Sequence, residues 1–318
     1  MSNAHSPETG GKPPVALIAG PTASGKTDLS VRLAAALSAN GRPAAVINAD
    51  SAQVYADLQI LSARPSTQEM RGLPHLLFGA WDGATPCSAA DWAAAAKAEI
   101  ARLHGEGAVS VLVGGTGLYL RTLLEGIAPV PPIDTEVRAA VRALSRKDAR
   151  DALEREDPAA AARIAPADSA RTCRALEVIR ATGSPLAEWQ KEKSGGIAAD
   201  IALHPMVLLP PREWLYARCD ARFEAMMAGG AEREVATLLA RGLDPTLPVM
   251  RAIGVPELSC YLRGTMSREE CIAAGQLATR QYAKRQYTWF RHQPPDGWPR
   301  IETFNDDTVT NLVSLLLD

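Results

Sequence analysis

The chain has 318 residues, 47% of them hydrophobic and 22% charged, with a formal net charge of −2. These values exclude a disordered tail protein and a fibre, and they allow one large domain or one domain carrying a smaller second one. No stretch approaches the roughly eighteen apolar residues of a membrane span. With so little net charge, any nucleic-acid partner must be met by a local basic patch. The polar opening, Met1 to Pro14, lacks the apolar core of a secretory signal and reads as a loose lead-in. Cys87, Cys173, Cys219, Cys260 and Cys271 form no C-x-x-C pair, so neither a zinc knuckle nor a redox motif is written here. An odd cysteine count without a signal segment points to a reducing cytoplasm.

Val15 to Ala19 is a short apolar run between Pro14 and Gly20, the pattern of a buried strand. Gly20-Pro21-Thr22-Ala23-Ser24-Gly25-Lys26-Thr27 follows and fits G-x-x-x-x-G-K-[ST] in full. Gly20 and Gly25 permit turns that aim consecutive N–H groups at one point, at the positive end of the next helix. Lys26 adds a full charge there, and Thr27 can place its hydroxyl on a magnesium ion. Leu29, Leu33 and Leu37 give that helix its apolar face, and Gly41 closes it. Such loops mostly hold ATP or GTP, so a kinase or NTPase is the default, although no guanine-reading N-K-x-D run is present.

Ala44 to Ala49 reads as a second strand, delivering Asp50-Ser51-Ala52-Gln53 to its carboxyl end, where open parallel sheets place their chemistry. Asp50 there is either a magnesium-organising acid or a general base. Ser88 and Asp91 form a capping box for a helix bearing Trp92, Ala96, Ile100 and Leu103 and ending near Gly105. Val109 to Val113 is a third strand, running into Gly114-Gly115-Thr116-Gly117. Alternating strands and helices at this spacing predict a parallel sheet with right-handed crossovers. From Pro129-Val130-Pro131-Pro132 to Gly196 the sequence is helical and charged with no convincing strand, an inserted helical subdomain. The expected division is 1–128, 129–200 and 201–318. Ile201 to Leu209 rejoins the sheet, with Pro205 leaving its extent open, and the rest after Pro211 is mostly helical. Cys271 to Pro295 contains no acid but holds Arg280, Lys284, Arg285 and Arg291, interleaved with Tyr282, Tyr287, Trp289 and Phe290. Those aromatic faces either stack on bases or anchor the helix to the core.

The loop Gly20 to Thr27, the run Asn48 to Ser51, and Val113-Gly114-Gly115-Thr116-Gly117-Leu118-Tyr119 occur in order. Arg174-Ala175-Leu176-Glu177-Val178, Arg212 to Arg218, and Arg280 to Gln286 with Thr288-Trp289-Phe290-Arg291 follow. Together they resemble the bacterial tRNA dimethylallyltransferase family, from about Val15 to Arg291. The resemblance implies an α/β fold: a P-loop NTPase-like core, its parallel sheet flanked by helices, with an inserted all-helical subdomain that grips tRNA. The implied reaction moves the prenyl group of dimethylallyl diphosphate to N6 of adenosine 37, beside the anticodon of a tRNA, with Mg2+ and without ATP.

The resemblance also implies roles. Asp50 would be the base and Thr116 a second catalytic residue. Gly20, Pro21, Thr22, Ala23, Ser24, Gly25, Lys26, Thr27, Arg218 and Arg222 would hold the diphosphate, with Thr27 on the metal. Asp50, Ser51, Ala52, Gln53, Thr116, Arg138, Ala170, Arg171, Thr172, Cys173, Arg174, Arg251 and Gly254 would contact tRNA, Ser51 and Gln53 at the adenine edge. The chain departs from the family's usual Gly-Thr-Ala-Lys-Pro at Leu61-Ser62-Ala63-Arg64-Pro65, from Pro-His-His at Pro74-His75-Leu76, and again at Ala167, Ala170, Val255 and Pro256. Partners are then the anticodon stem-loop and the diphosphate, with no membrane and no obligate protein. The competing readings are a P-loop kinase of a small metabolite, which would release ADP, a prenyltransferase acting on free adenine nucleotide, and a non-catalytic RNA-binding NTPase.

Overall fold

The computed structural model describes residues 12–317. Of the expected lead-in, 1–11 lie outside the described residues, and Pro14 already opens the first strand. Two compact units are present: one comprises the residues up to Leu123 with those from Ala198 onward, the other is Leu124–Ile197. In chain order the elements begin β1 (Pro14–Ala19), α1 (Lys26–Ala39), β2 (Ala44–Asn48), α2 (Thr67–Met70), β3 (His75–Leu76), α3 (Ala89–Gly105), β4 (Val109–Gly114) and α4 (Gly117–Glu125). The second unit contains β5 (Gly126–Ile127), α5 (Thr135–Arg142), α6 (Arg146–Glu156), α7 (Pro158–Arg163), α8 (Ser169–Thr182), α9 (Leu186–Trp189) and β6 (Ser194–Gly195). The first unit resumes with β7 (Ala202–Leu208), α10 (Arg212–Ala228), α11 (Ala231–Ala240), a 3₁₀ turn at Pro248–Arg251, α12 (Val255–Leu262), α13 (Arg268–His292), β8 (Arg300–Ile301) and α14 (Asp306–Leu317).

The first unit is built on one six-stranded sheet ordered β3-β2-β4-β1-β7-β8, every pairing parallel. β1 lies between β4 and β7, and Val15 to Ala19 are fully buried, as a central strand covered on both faces requires. α1 lays Leu29, Leu33 and Leu37 against the sheet, in a core completed by Val309, Leu312, Val313 and Leu316 of α14. Full burial of each leucine contributes on the order of 1.5–3 kcal/mol. α3 starts at the Ser88–Asp91 capping box and ends at Gly105, as its sequence predicts.

Pro205 does not interrupt β7. Val207 and Leu209 donate their amides toward the β8 side, so the missing N–H at position 205 faces the same way. β8 pairs only with Val207 and Leu208, which leaves that side open at Pro205. The short strands β3 and β8 were not expected from the sequence. A two-residue strand is too short to show a period of two.

The second unit packs α5, α6, α7 and α8 around Val141, Ala149, Ala152, Leu153, Ala160, Ala161, Ala175 and Leu176. It is not wholly helical. β5 and β6 pair antiparallel, Gly126 opposite Gly195, at the two ends of the unit. A Cβ at Gly126 or at Gly196 would collide with the facing backbone, so glycine is what lets the two ends close.

Candidate active site

Three sequence segments meet at the carboxyl edge of the sheet: the loop after β1, the residues after β2, and the glycine turn after β4. The loop after β1 takes left-handed φ values at Ala23 (63°) and Gly25 (96°), while Gly20 (147°) lies so close to the Leu208 carbonyl that a Cβ would collide with it. Gly25 caps α1 without any side-chain bond, so the amides at that helix end stay free to meet an anion. The Ser24 hydroxyl is buried in the same cradle with no partner among the described residues. Lys26 Nζ donates to the Pro21 carbonyl oxygen at 2.6 Å. Burial pulls the Lys26 ammonium down to about 8, with Asp50 opposing the shift and Arg222 adding to it. Arg218 Nε donates to the Ala23 carbonyl at 3.0 Å, and its guanidinium stacks over Trp214. Arg222 Nη1 reaches Thr22 Oγ1 at 3.4 Å. The result is a pocket of about 260 Å³ lined by Thr22 to Asp28, Arg71, Arg218 and Arg222, with Asp50 and Glu69 also on its wall.

Asp50 stands two residues beyond the strand end at Asn48. Asn48 fixes the bend: its Oδ1 accepts from the Asp50 amide at 2.9 Å, and its Nδ2 donates to the Asp50 and Leu77 carbonyls. Trp92 Nε1 in turn donates to the Asn48 carbonyl at 2.8 Å. One Asp50 oxygen accepts from the Ala52 amide at 2.9 Å. Thr116 is locked to the same segment: its amide donates to the Ala49 carbonyl, its Oγ1 accepts from the Ser51 amide at 2.9 Å, and it donates to Ser51 Oγ at 3.2 Å. A Cβ at Gly114 would strike the Ala49 backbone, so this close approach depends on the glycine.

A second cavity of about 340 Å³ opens on the other side of Asp50. It is lined by Tyr55, Cys219, Phe223, Met226, Ile253 and Tyr282 among apolar and aromatic groups, and by Arg222, Arg251 and Arg285. Thr22, Asp50, Ser62, Ala63 and Arg222 line both compartments. Asp50 is thus at the junction of a phosphate pocket and a partly apolar one. Ser51 and Ala52 line the larger cavity, whereas Gln53 lines the phosphate pocket and uses its Nε2 to hold the Ser62 and Ala63 carbonyls at 3.0 and 3.1 Å. Gly254 (φ 94°) packs tightly against Leu61.

Of the aromatic residues of α13, Phe290 is fully buried and Tyr282, Tyr287 and Trp289 are half-buried, with Tyr282 on the larger cavity, while Lys284, Arg285 and Arg291 are exposed. Gln286 was not singled out by sequence reasoning, yet it ties the site together. It is buried, accepts from the Thr22 amide at 2.7 Å and donates to the Gly115 carbonyl at 2.9 Å. The signal was available: Cys271, Gly275, Ala283, Gln286 and Phe290 form the buried stripe of α13, and a glutamine there demands partners.

In the helical unit, Arg138 is half-buried on α5, its Nε without a partner among the described residues. Ala170 and Arg171 are exposed at the start of α8. Thr172 is buried, its hydroxyl donating to the Asp168 carbonyl, and Cys173 packs against the unit's core. Arg174 lies 3.7 Å from the buried Glu177 carboxylate, which also accepts from Arg142 at 3.0 Å.

This fold and site define a phosphate-loop protein that would hold a diphosphate beside an acid and a larger cavity. Known proteins agree on a narrower class. The chain belongs to the IPP transferase family, whose profile matches residues 53–293. It is 69% identical over 296 residues to a tRNA dimethylallyltransferase of Erythrobacter litoralis, covering 93% of each chain. A tRNA dimethylallyltransferase of Novosphingobium aromaticivorans is 63% identical, over 87% of this chain and 98% of the relative. The crystal structure of a tRNA isopentenylpyrophosphate transferase from Bacillus halodurans superposes with a TM-score of 0.68 at 32% identity, covering 96% of both chains. A eukaryotic dimethylallyltransferase solved acting on tRNA gives a TM-score of 0.75 at 28% identity, over 87% of this chain and 70% of that one.

Proposed function

We propose that this chain transfers the dimethylallyl group of dimethylallyl diphosphate to N6 of adenosine 37 in tRNA, releasing diphosphate, in the cytoplasm. The observation that carries the reading is the placement of Asp50 on the shared wall of two compartments, one built on the loop after β1 with Lys26, Arg218 and Arg222, the other partly apolar. Among the described residues no helix is long and apolar enough to cross a membrane.

The chemistry follows from that placement. The allylic C–O bond breaks as the C–N6 bond forms, the diphosphate leaves with the electron pair, and N6 gives up one proton. Loop amides, Lys26, Arg218 and Arg222 hold the leaving oxygens as negative charge grows on them. Asp50 takes the N6 proton, its carboxylate aimed by the Ala52 amide and the Asn48 bend. Thr116, fixed by Ser51, presents a hydroxyl at the same edge. The donor set suits Mg2+ carried in with the substrate: no group of three acidic, histidine or cysteine ligands occurs among the described residues, and Thr27 with substrate oxygens would complete the shell. When bound, the ion neutralises charge on the diphosphate. Arg138, Ala170, Arg171, Thr172, Cys173 and Arg174 of the helical unit, together with Arg251 and Gly254, belong on the tRNA side of this reading. Since Thr172 and Cys173 turn inward, Arg138, Arg171 and Arg174 are its polar contacts.

The test is Asp50→Asn, assayed with dimethylallyl diphosphate and an anticodon stem-loop. Turnover should fall roughly 10²–10⁴-fold with diphosphate binding retained. Recovery of turnover at saturating magnesium would instead make Asp50 a metal organiser. Release of ADP from ATP by the wild-type protein would favour a kinase.

A further inference from the structure

The segment that separates the two compartments is tied to a helix far along the chain. Glu234 on α11 points its carboxylate into three successive backbone amides: Oε1 accepts from Gln59 at 2.6 Å and Ile60 at 2.7 Å, and Oε2 from Leu61 at 2.9 Å. Three amides converging on one carboxylate form an anion nest, the same physics that cradles a phosphate. Seven residues later, two helical turns on and so on the same side, Arg241 pairs with Asp57 and with Asp82, the latter at 2.7 Å. α11 and the residue that caps its C-terminus therefore grip the chain at 59–61 and at Asp57. The next residues, Ser62 and Ala63, line both compartments, and Leu61 lines the larger one.

From the other side Gln53 holds the Ser62 and Ala63 carbonyls, and Gln59 accepts from Arg64 Nε at 2.6 Å. Asp50 and the phosphate loop do not touch Glu234 through any bond described above, so its influence passes through the wall.

We propose that Glu234 is a positioning residue for substrate binding, setting the wall at Leu61, Ser62 and Ala63 against which the diphosphate and the acceptor base are seated. The proposal rests on the reading of the site given above, but two of its tests do not require transfer. Glu234→Gln keeps the size and one acceptor oxygen, yet it turns an NH2 group toward an amide N–H and removes the charge. Glu234→Ala removes all three bonds. The affinity for inorganic pyrophosphate, measured calorimetrically, should fall roughly tenfold in Glu234→Gln and further in Glu234→Ala. Amide hydrogen exchange should speed up at 59–61 while amides of β1 and β4 keep wild-type protection. In turnover, KM for dimethylallyl diphosphate should rise by a similar factor with kcat within about threefold of wild type. Unchanged pyrophosphate affinity would overturn the proposal. So would exchange that accelerates equally in the sheet, since Glu234 would then support the fold and not the wall. A wild-type protein that transfers no prenyl group would sink the proposed function, while pyrophosphate affinity and loop exchange would still decide the role of Glu234.

Discussion

Replacing Lys26 by methionine should make the ligand-free protein more stable while destroying its affinity for diphosphate. Burial lowers the Lys26 pKa from 10.5 to about 8, so the folded cradle disfavours the charged form. At about 1.36 kcal/mol per pKa unit, holding that ammonium in place of water costs at most about 3 kcal/mol. The bond from Nζ to the Pro21 carbonyl returns roughly 1.5–3 kcal/mol and is lost in the variant. The difference at pH 7 is about 0–1.5 kcal/mol in favour of methionine, a rise of at most a few °C in the unfolding midpoint.

The pH dependence gives the sharper signature. Below pH 8 lysine is charged in both states and the cost is present in full. Between pH 8 and 10.5 the unfolded chain holds a proton that the folded one has released, so wild-type stability rises with pH and the advantage of Lys26→Met shrinks. Thermal unfolding of both proteins from pH 6.5 to 9.5, with and without pyrophosphate, measures this. Pyrophosphate should reverse the ranking, because it stabilises only the protein that binds it. A stability difference that stays constant from pH 7 to 9.5 would refute the reasoning, since Lys26 would then titrate as an ordinary lysine.

Other outcomes follow from the same geometry. Gln286→Ala leaves the Thr22 amide and the Gly115 carbonyl without their partner, each at about 1–3 kcal/mol. Its unfolding midpoint should drop and its KM for dimethylallyl diphosphate should rise, as steady-state kinetics beside a melting curve will show. Arg174→Ala should raise KM for the anticodon stem-loop several-fold and leave that for the diphosphate unchanged. The same variant should flatten the steep loss of RNA binding with salt, because one phosphate-neutralising cation is gone.

The phosphate cradle was legible because its residues are contiguous: the turn and the free amides at Gly25 follow from eight consecutive side chains. Asp50 was legible for a related reason, standing where a five-residue buried strand ends. The alternation of strands and helices was enough for a parallel sheet, and the resemblance supplied the reaction. Other features depend on contacts between distant segments. Gln286 reaches Thr22 across 264 positions of sequence and Glu234 reaches Gln59 across 175, and no local pattern encodes such pairings. The aromatic helix marks the limit between these cases. Its composition allowed base stacking or anchoring, and the structure divides the two: Phe290 is buried in the packing, whereas Tyr282 lines the larger cavity.

Positive charge lines both compartments: Lys26, Arg71, Arg218 and Arg222 beside Asp28, Asp50 and Glu69 on the phosphate side, and Arg222, Arg251 and Arg285 beside Asp50 on the other. Lys26 and Arg218 face the phosphate side alone, and Arg222 stands at the junction. As the C–O bond lengthens, negative charge grows on the diphosphate, which should stay, and positive charge on the allyl group, which passes to N6. Cations around the anion lower the barrier to splitting, but next to the allyl fragment they would raise it. On the far side of Asp50 that fragment would instead meet Tyr55, Phe223 and Tyr282, whose faces tolerate positive charge, and a carboxylate. Arg251 and Arg285 also line that cavity. Their charge suits the backbone phosphates of an incoming RNA loop, whose arrival would turn them from an obstacle into neutral partners. An acceptor that brings its own anions is therefore favoured over a free, uncharged nucleoside.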